Sequence, residues 1–162
     1  LFTRHGVYTP VEVGSREEIL LEEYSKTIRI EALAMLDMLR KLILPACAKF
    51  SKDLAEGVMI KKQIGVDAPS EAELVAKITE KTAQLAAAQG VLADKVNAAN
   101  SVLTEEFAAA PGGRGARRLS RYYRDEVLPA MQAARGLADE LENLVAKDYW
   151  PFPTYSDILF YV

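Results

Sequence analysis

The chain has very little of the chemistry that builds metal and redox sites. Its 162 residues include one cysteine, Cys47, and one histidine, His5. A single cysteine excludes an internal disulfide and favours a reducing, cytoplasmic setting. Zinc sites and carboxylate-bridged di-metal sites need several His, Cys or paired Glu-x-x-His ligands, so neither is expected here. We interpret Cys47 as a small buried hydrophobic residue and not as a nucleophile.

Long apolar runs and a strong charge of one sign are missing as well. No apolar run approaches the roughly 20 residues of a membrane span, and the formal net charge is only −3. These features argue against a membrane partner and against wholesale nucleic-acid binding. The sequence also has no Gly-x-Ser-x-Gly, Walker-type or dinucleotide-binding pattern. We therefore predict no catalytic residue, no cofactor-binding residue and no metal ligand in this chain.

What the sequence does contain is apolar residues at helical spacing in three long segments. The first segment opens with a capping box at Ser15–Glu18, and its helix resumes toward Lys62 after Pro45. The second segment opens with a capping box at Ser70–Glu73 and runs toward Phe107. A helix of about 40 residues would be roughly 60 Å long, so each of these helices is long for a chain of this size.

The third helix follows the Gly-rich run Pro111–Gly115, which is typical of a loop. Pro45 and Pro129 are expected to kink the first and third helices, since each removes a backbone hydrogen bond. A further capping box at Thr9–Glu12 is expected to start a short turn. We predict an all-α fold, an elongated antiparallel bundle of three long, Pro-kinked helices with an extended aromatic C-terminal tail.

The tail, Asp148–Val162, holds six of the thirteen aromatic residues, and two prolines keep its first part out of a helix. An aromatic chain end must dock on something, because exposing that much apolar surface is costly. We predict that Trp150 is largely buried in the groove between the third and first helices. Phe152 is predicted as a second anchor, and the Tyr155 hydroxyl is predicted to face water or a polar partner. Residues 157–162 are expected to form one short strand.

Two other features suggest contact surfaces. The first helix is apolar on two faces, which predicts self-association through a patch that includes Leu39.

Arginines cluster where the third helix begins, and we consider three alternatives for them. They form a solvated face paired with acids such as Glu105 and Glu106, they meet an acidic patch of a neighbouring subunit, or they bind a phosphate. The candidate interface residues among them are Arg117, Arg118 and Arg121.

Four stretches together resemble one known family. They are Glu22–Leu33 (EEYSKTIRIEAL), Tyr122–Gln132 (YYRDEVLPAMQ), Leu137–Glu142 (LADELE) and Tyr149–Phe160 (YWPFPTYSDILF). These long motifs resemble the C-terminal helical region of type III glutamine synthetases. The resemblance covers nearly the whole chain and is weakest over residues 63–115.

The resemblance implies a parent enzyme that ligates ammonia to glutamate with ATP and Mg²⁺ or Mn²⁺, in large ring assemblies. The metal, nucleotide and ammonium sites of that family lie upstream, so no cofactor is expected in this chain. Residues 1–14 would join the catalytic region, residues 15–147 would form the helical bundle domain, and residues 148–162 would be the docking tail. The expected partners are the catalytic domain of the same chain and further copies in a homo-oligomer.

A second interpretation comes from another class of protein. The chain begins Leu-Phe-Thr-Arg-His, without an initiator Met, which we take as the sign of a piece of a longer protein. The alternative is a stand-alone helical adaptor that binds other proteins through its long apolar faces. A reading frame that extends several hundred residues upstream would favour the synthetase, whereas a Met immediately upstream would favour the adaptor.

Overall fold

A computed structural model of the chain describes residues 2–106, 114–153 and 155–160, with the side chains of residues 100–106, 114, 155 and 156 outside the description. The described residues are predominantly α-helical and include no strand, which confirms the predicted all-α class. Four continuous helical segments occur, and two of them contain a π-helical turn. In chain order the elements are α1 (Pro10–Met38), a π-helical turn (Leu39–Ile43), α2 (Leu44–Gln63), α3 (Pro69–Glu106), α4 (Arg114–Tyr122), a second π-helical turn (Tyr123–Val127), α5 (Leu128–Glu142) and α6 (Tyr155–Leu159).

The chain divides into two compact units, each built from two stretches of sequence. The first unit combines Leu1–Met35 with Val91–Gln132, and the second combines Leu36–Gly90 with Ala133–Val162. Each therefore brings together residues far apart in the chain. The division predicted from the sequence, after residues 14 and 147, stays a prediction, and α1 runs without interruption across the first of those positions.

The core of the first unit comes from α1, the second part of α3, α4 with its following π-helical turn, and the start of α5. The buried residues recur three or four positions apart, as expected where one face of each helix packs inward. The Tyr122 hydroxyl donates a hydrogen bond to the Lys95 carbonyl at 3.1 Å and so links α4 to α3. The core members are Ile28, Ala32, Leu92, Val96, Ala99, Ala116, Leu119, Tyr123, Val127, Ala130 and Met131.

The second unit packs α2 antiparallel to the first part of α3. Ser51 lies 3.3 Å from Thr79, while Lys61, ten residues further along α2, pairs with Glu71, eight residues back along α3. Cys47 is fully buried, and this burial raises the pKa of its thiol despite a hydrogen bond with Thr82. The interpretation of Cys47 as a buried hydrophobic residue is confirmed.

The expectation for Leu39 is wrong. Leu39 is only 2% exposed and belongs to the core of the second unit, so it cannot present itself to a partner. The large apolar side chains that α1 exposes in the first unit are others, namely Val11, Ile19, Leu20, Ile30 and Leu33. Periodicity identified two apolar faces on this helix but not which positions the fold covers. None of the described helices is long and apolar enough to cross a membrane.

Both π-helical turns immediately precede the sequence Leu-Pro-Ala. The Leu44 N–H bonds to the Leu39 carbonyl, and the Leu128 N–H bonds to the Tyr123 carbonyl, each five residues back. A proline ring clashes with the carbonyl four residues before it and offers no N–H, so a wider turn relieves the conflict. The predicted disturbance at both prolines therefore takes the form of a π-helical turn within a helix that continues past Pro45 and Pro129.

The first long helix begins at Pro10, whereas the sequence analysis had predicted that it begins at Ser15. The Thr9 N–H donates to a Glu12 carboxylate oxygen at 2.7 Å, and the Glu12 N–H donates to the Thr9 hydroxyl at 3.3 Å. This reciprocal capping box satisfies the donors at the helix start, and the bond from Thr9 lowers the pKa of Glu12. The second box, at Ser15–Glu18, consequently lies inside a helix that is already established.

The end of α2 is built on Gly65, which has a φ of +80°. The Val66 N–H bonds to the Lys61 carbonyl at 2.9 Å, and the Gly65 N–H bonds to the Lys62 carbonyl at 3.1 Å. This pair of bonds is the Schellman motif, which needs a left-handed residue after the helix. It reverses the chain so that α3 can return along α2 in the second unit.

The strand predicted near the C-terminus is wrong over the described residues. Residues Tyr155–Leu159 form the short helix α6, and Asp157 lies in its first turn, where a negative charge is favoured. Lys147 pairs with Asp157 at 2.5 Å. Before α6, the chain turns, and the Trp150 N–H bonds to the Ala146 carbonyl at 3.2 Å. Residues 154, 161 and 162 lie outside the described residues.

Replacing Gly65 should separate backbone strain from helix propensity. Gly65→Ala should lower the free energy of unfolding by about 1–2 kcal/mol, because alanine is strained at a positive φ. Gly57→Ala is the matched control in the same helix, where an added Cβ meets open space. That variant should gain about 0.5–1 kcal/mol. Urea unfolding measures the free energy of unfolding of both variants. A Gly65→Ala protein as stable as the wild type would contradict the left-handed conformation assigned to Gly65.

Two neighbouring tyrosines should respond in opposite ways to loss of their hydroxyl groups. Tyr123 is 1% exposed, and its hydroxyl has no hydrogen-bond partner among the described residues. Because an unpaired buried hydroxyl costs about 1–3 kcal/mol, Tyr123→Phe should be neutral or stabilising. Tyr122→Phe loses the bond to Lys95 and should cost about 1 kcal/mol. Thermal unfolding of the two variants tests this, and a large loss for Tyr123→Phe would show that its hydroxyl has a partner.

Candidate functional site: an arginine strip on the fourth helix

Three arginines share one face of α4 and the turn that follows it. Arg117, Arg121 and Arg124 are four and three residues apart, which places them on neighbouring turns of one helical face. The opposite face of the same helix is buried through Leu119 and Tyr123, so the three guanidinium groups remain at the surface. We call Arg117, Arg121 and Arg124 the arginine strip.

The arginine strip borders a shallow hollow of about 280 Å³ within the first unit. Residues from α1 form its other wall. Ser120 lies at its floor, 6% exposed, and its hydroxyl donates to the Arg117 carbonyl at 2.9 Å. The lining residues are Glu17, Leu21, Arg117, Ser120, Arg121 and Arg124. The hollow is therefore walled by guanidinium groups on one side and by a carboxylate and an aliphatic side chain on the other.

Two of the three arginines are held by carboxylates. Arg117 donates to Glu17 at 2.5 Å, and this bond raises the pKa of Arg117. Arg124 donates to both oxygens of Asp125, at 2.6 Å and 2.9 Å, which lowers the pKa of Asp125. Arg121 lies between them in sequence, and in the described part of the chain it makes no hydrogen bond or ion pair. The strip and its two acids carry a formal charge of +1.

The structure only partly reproduces the predicted arginine cluster. Arg118 is exposed on α4 but is not among the residues that line the hollow. The side chains of the proposed partners Glu105 and Glu106 lie outside the described part. Sequence reasoning missed Glu17, which pairs with Arg117 although 100 residues separate them. No local pattern could reveal this pair, because only the packing of α1 beside α4 in the first unit brings its members together.

A second candidate surface lies at the start of the C-terminal segment, in the second unit. The Tyr149 hydroxyl donates to Asp53 of α2 at 2.7 Å, and its ring centroid lies 5.0 Å from that of Phe50. The Lys49 ammonium is 5.6 Å from the same ring. Asp53 raises the pKa of Tyr149, since the bond favours the protonated phenol. Tyr149 thus attaches the segment to α2, a role that the sequence analysis did not assign to it.

The predicted anchors Trp150 and Phe152 lie next to each other. Both side chains are partly buried, with their rings edge-on and their centroids 6.4 Å apart. The predicted docking of Trp150 between the third and first helices stays a prediction. The side chain of Tyr155 lies outside the described part of the structure, so its predicted polar contact is untested. Further along the chain, Ile158 and Leu159 of α6 and the following Phe160 are exposed to solvent.

Loss of the Tyr149 hydroxyl should loosen this segment. Because Trp150 is the only tryptophan, its emission reports directly on its neighbour's attachment to Asp53. Tyr149→Phe should shift this emission to the red and increase quenching by acrylamide, whereas the control Tyr8→Phe should leave it unchanged. In the wild type, the bond from Tyr149 to Asp53 contributes to the stability of the fold below pH 10. This contribution is lost as the pH rises through the raised pKa of Tyr149. Identical spectra for the two variants would contradict this role of Tyr149.

Comparisons with known proteins identify relatives of the chain. A family model described as the glutamine synthetase C-terminal domain matches residues 1–62. A glutamine synthetase of Butyrivibrio fibrisolvens is 36% identical over 162 residues, which cover 99% of this chain and 22% of the relative. A type-3 glutamine synthetase of Dictyostelium discoideum is 31% identical over 166 residues, which cover 99% of this chain and 21% of the relative. A glutamine synthetase of Bacteroides fragilis is 24% identical over 157 residues, which cover 95% of this chain and 20% of the relative.

These matches confirm the resemblance that the four sequence stretches indicated. The chain is similar over nearly its full length to proteins named glutamine synthetase, one of them of type 3. It spans about a fifth of the length of the curated relatives that it matches.

Proposed function

We propose that these 162 residues are the non-catalytic C-terminal helical domain of a type III glutamine synthetase. The observation that carries the proposal is the alignment, which takes in 95–99% of this chain but only 20–22% of each relative. The parent would be a cytoplasmic ligase that joins ammonia to glutamate with ATP and Mg²⁺ or Mn²⁺. The domain's work would be to support the catalytic region and the assembly of subunits.

We assign no residue of this chain to the metal or to the nucleotide, and we derive no catalytic step within it. In residues 2–106, 114–153 and 155–160, no three His, Cys, Asp or Glu side chains are grouped so that they could hold a metal ion. Those sites would lie in the part of the parent that precedes these residues.

The surface of the domain supports a role in contacts. The end of α2 and the turn that follows it, both in the second unit, expose four large apolar side chains within eight residues, namely Met59, Ile60, Ile64 and Val66. In the first unit, α1 exposes Ile30 at 68%. Exposed apolar side chains that cluster mark contact sites more often than isolated ones do. A larger protein that covers these side chains would gain the free energy of their burial.

The same exposed side chains also favour the rival function, a stand-alone helical adaptor. The two functions differ in what precedes Leu1 in the gene. A synthetase requires a continuous reading frame of several hundred upstream codons, and the adaptor requires a start codon close to Leu1. Sequencing of the upstream DNA separates them without any biochemical assay.

The biochemical test compares the full-length gene product with a version truncated before Pro10. The full-length protein should form glutamine from glutamate, ammonia and ATP and should sediment as a large oligomer. The truncated protein should lose the large assembly if the domain supports subunit contacts. The 162-residue chain alone should not hydrolyse ATP in a glutamate- and ammonia-dependent manner. Turnover by this chain that a substitution within it abolishes would overturn the non-catalytic assignment.

A further inference from the structure

We propose that the arginine strip receives a carboxylate side chain from another subunit of the same protein, and that Arg121 is the residue that binds it. This inference rests on the proposed function, because it requires an oligomeric parent. It goes further than that function in naming the residue, the chemistry of its partner and the chain that supplies it.

The first argument is the uneven pairing of the three guanidinium groups. Glu17 and Asp125 hold Arg117 and Arg124 in place, whereas Arg121 makes no hydrogen bond or close ion pair with a described residue and only adds to the positive charge that lowers the pKa of Asp125. Like charges three and four residues apart on a helix repel one another. Three guanidinium groups against two carboxylates leave a formal charge of +1, which a single further carboxylate would neutralise. The two existing pairs also fix the orientation of the flanking groups before a ligand arrives.

The second argument is the size and exposure of the hollow. Its volume of about 280 Å³ is slightly below the lower end of the range of about 300–1,000 Å³ that is usual for small-molecule sites. The side chains of Arg117 and Arg124 are 59% and 62% exposed, so the hollow is wide open to solvent. A shallow open hollow suits the tip of a side chain presented by a protein surface. The planar fork of arginine matches a carboxylate with two parallel hydrogen bonds.

The third argument identifies the source of the carboxylate as another copy of this chain. The formal net charge of the chain is −3, so the residues outside the three-arginine strip carry −6. A second copy of this chain therefore offers 23 Asp and Glu residues against 17 Lys and Arg residues outside its own strip. Complementary charge of this kind guides the encounter of two subunits and fixes their register.

A charge reversal in the full-length protein tests the contact. Arg121→Glu should weaken subunit association about tenfold or more, because the incoming carboxylate then meets a like charge. Arg135→Glu is the control, since Arg135 is also an exposed helical arginine with a carboxylate neighbour, Asp139. Sedimentation velocity between about 50 mM and 500 mM NaCl should show a salt-dependent assembly for wild type and Arg135→Glu. Equal assembly of Arg121→Glu and wild type throughout this range would overturn the proposal.

A zero-length cross-link identifies the partner residue. Arg121→Lys keeps the positive charge and adds an amine that a carbodiimide can join to a touching carboxylate. In oligomers mixed from ¹⁴N- and ¹⁵N-labelled subunits, mass spectrometry should find the residue at position 121 linked to an Asp or Glu of the other isotope. Arg135→Lys should yield no such intersubunit product. Links confined to Glu17 or Asp125 of the same subunit would overturn the proposal.

A third measurement excludes a free anion as the occupant. Inorganic phosphate and citrate are added to wild type and to Arg121→Ala, and thermal unfolding is followed. Equal shifts in both proteins are expected if the occupant is a subunit side chain. Stabilisation of wild type alone, with assembly unchanged, would assign the hollow to a free anion and overturn the proposal. Glutamine formation is assayed in parallel, so that an active enzyme without the intersubunit link refutes this inference alone, and an inactive protein refutes the proposed function.

Discussion

The burial of one apolar stripe on each long helix is the constraint on which the rest of this structure depends. An isolated helix gains little from its hydrogen bonds in water, so most of its stability must come from packing. Leu92 and Val127 in the first unit, and Leu85 and Leu141 in the second, are all at or near zero exposure. Each such residue contributes about 1.5–3 kcal/mol when it leaves water. Alanines such as Ala32, Ala99 and Ala134, placed on these stripes, leave room for close helix packing.

This constraint explains why the prolines are tolerated in the middle of helices. A break at Pro45 or Pro129 would misdirect the apolar residues that follow, so a π-helical turn absorbs the missing hydrogen bond and the helix continues. The first and last residues of each turn stay buried, Leu39 and Ile43 in one and Tyr123 and Val127 in the other. The unpaired Tyr123 hydroxyl shows that packing prevailed over polar satisfaction at this position.

The helix faces that do not pack into the core carry the charged and aromatic features of the surface. On α4 the buried face fixes the arginines on the opposite side, where Glu17 and Asp125 compensate two of the three charges. In the second unit, the bond from Tyr149 to Asp53 attaches the aromatic segment, while Ile158, Leu159 and Phe160 remain exposed beyond it. Under the proposed function, the rest of the parent protein would cover these surfaces.

The sequence by itself determined the all-α class, the capping box at Thr9–Glu12, the buried character of Cys47 and the family resemblance, because each depends on local spacing or on a long motif. The tertiary structure alone decided that Leu39 is buried, that Glu17 pairs with Arg117 and that Tyr149 reaches Asp53. Helical periodicity shows which residues share a face. Which faces are covered, and which charges meet across 100 residues of chain, depends on how separate segments pack against one another.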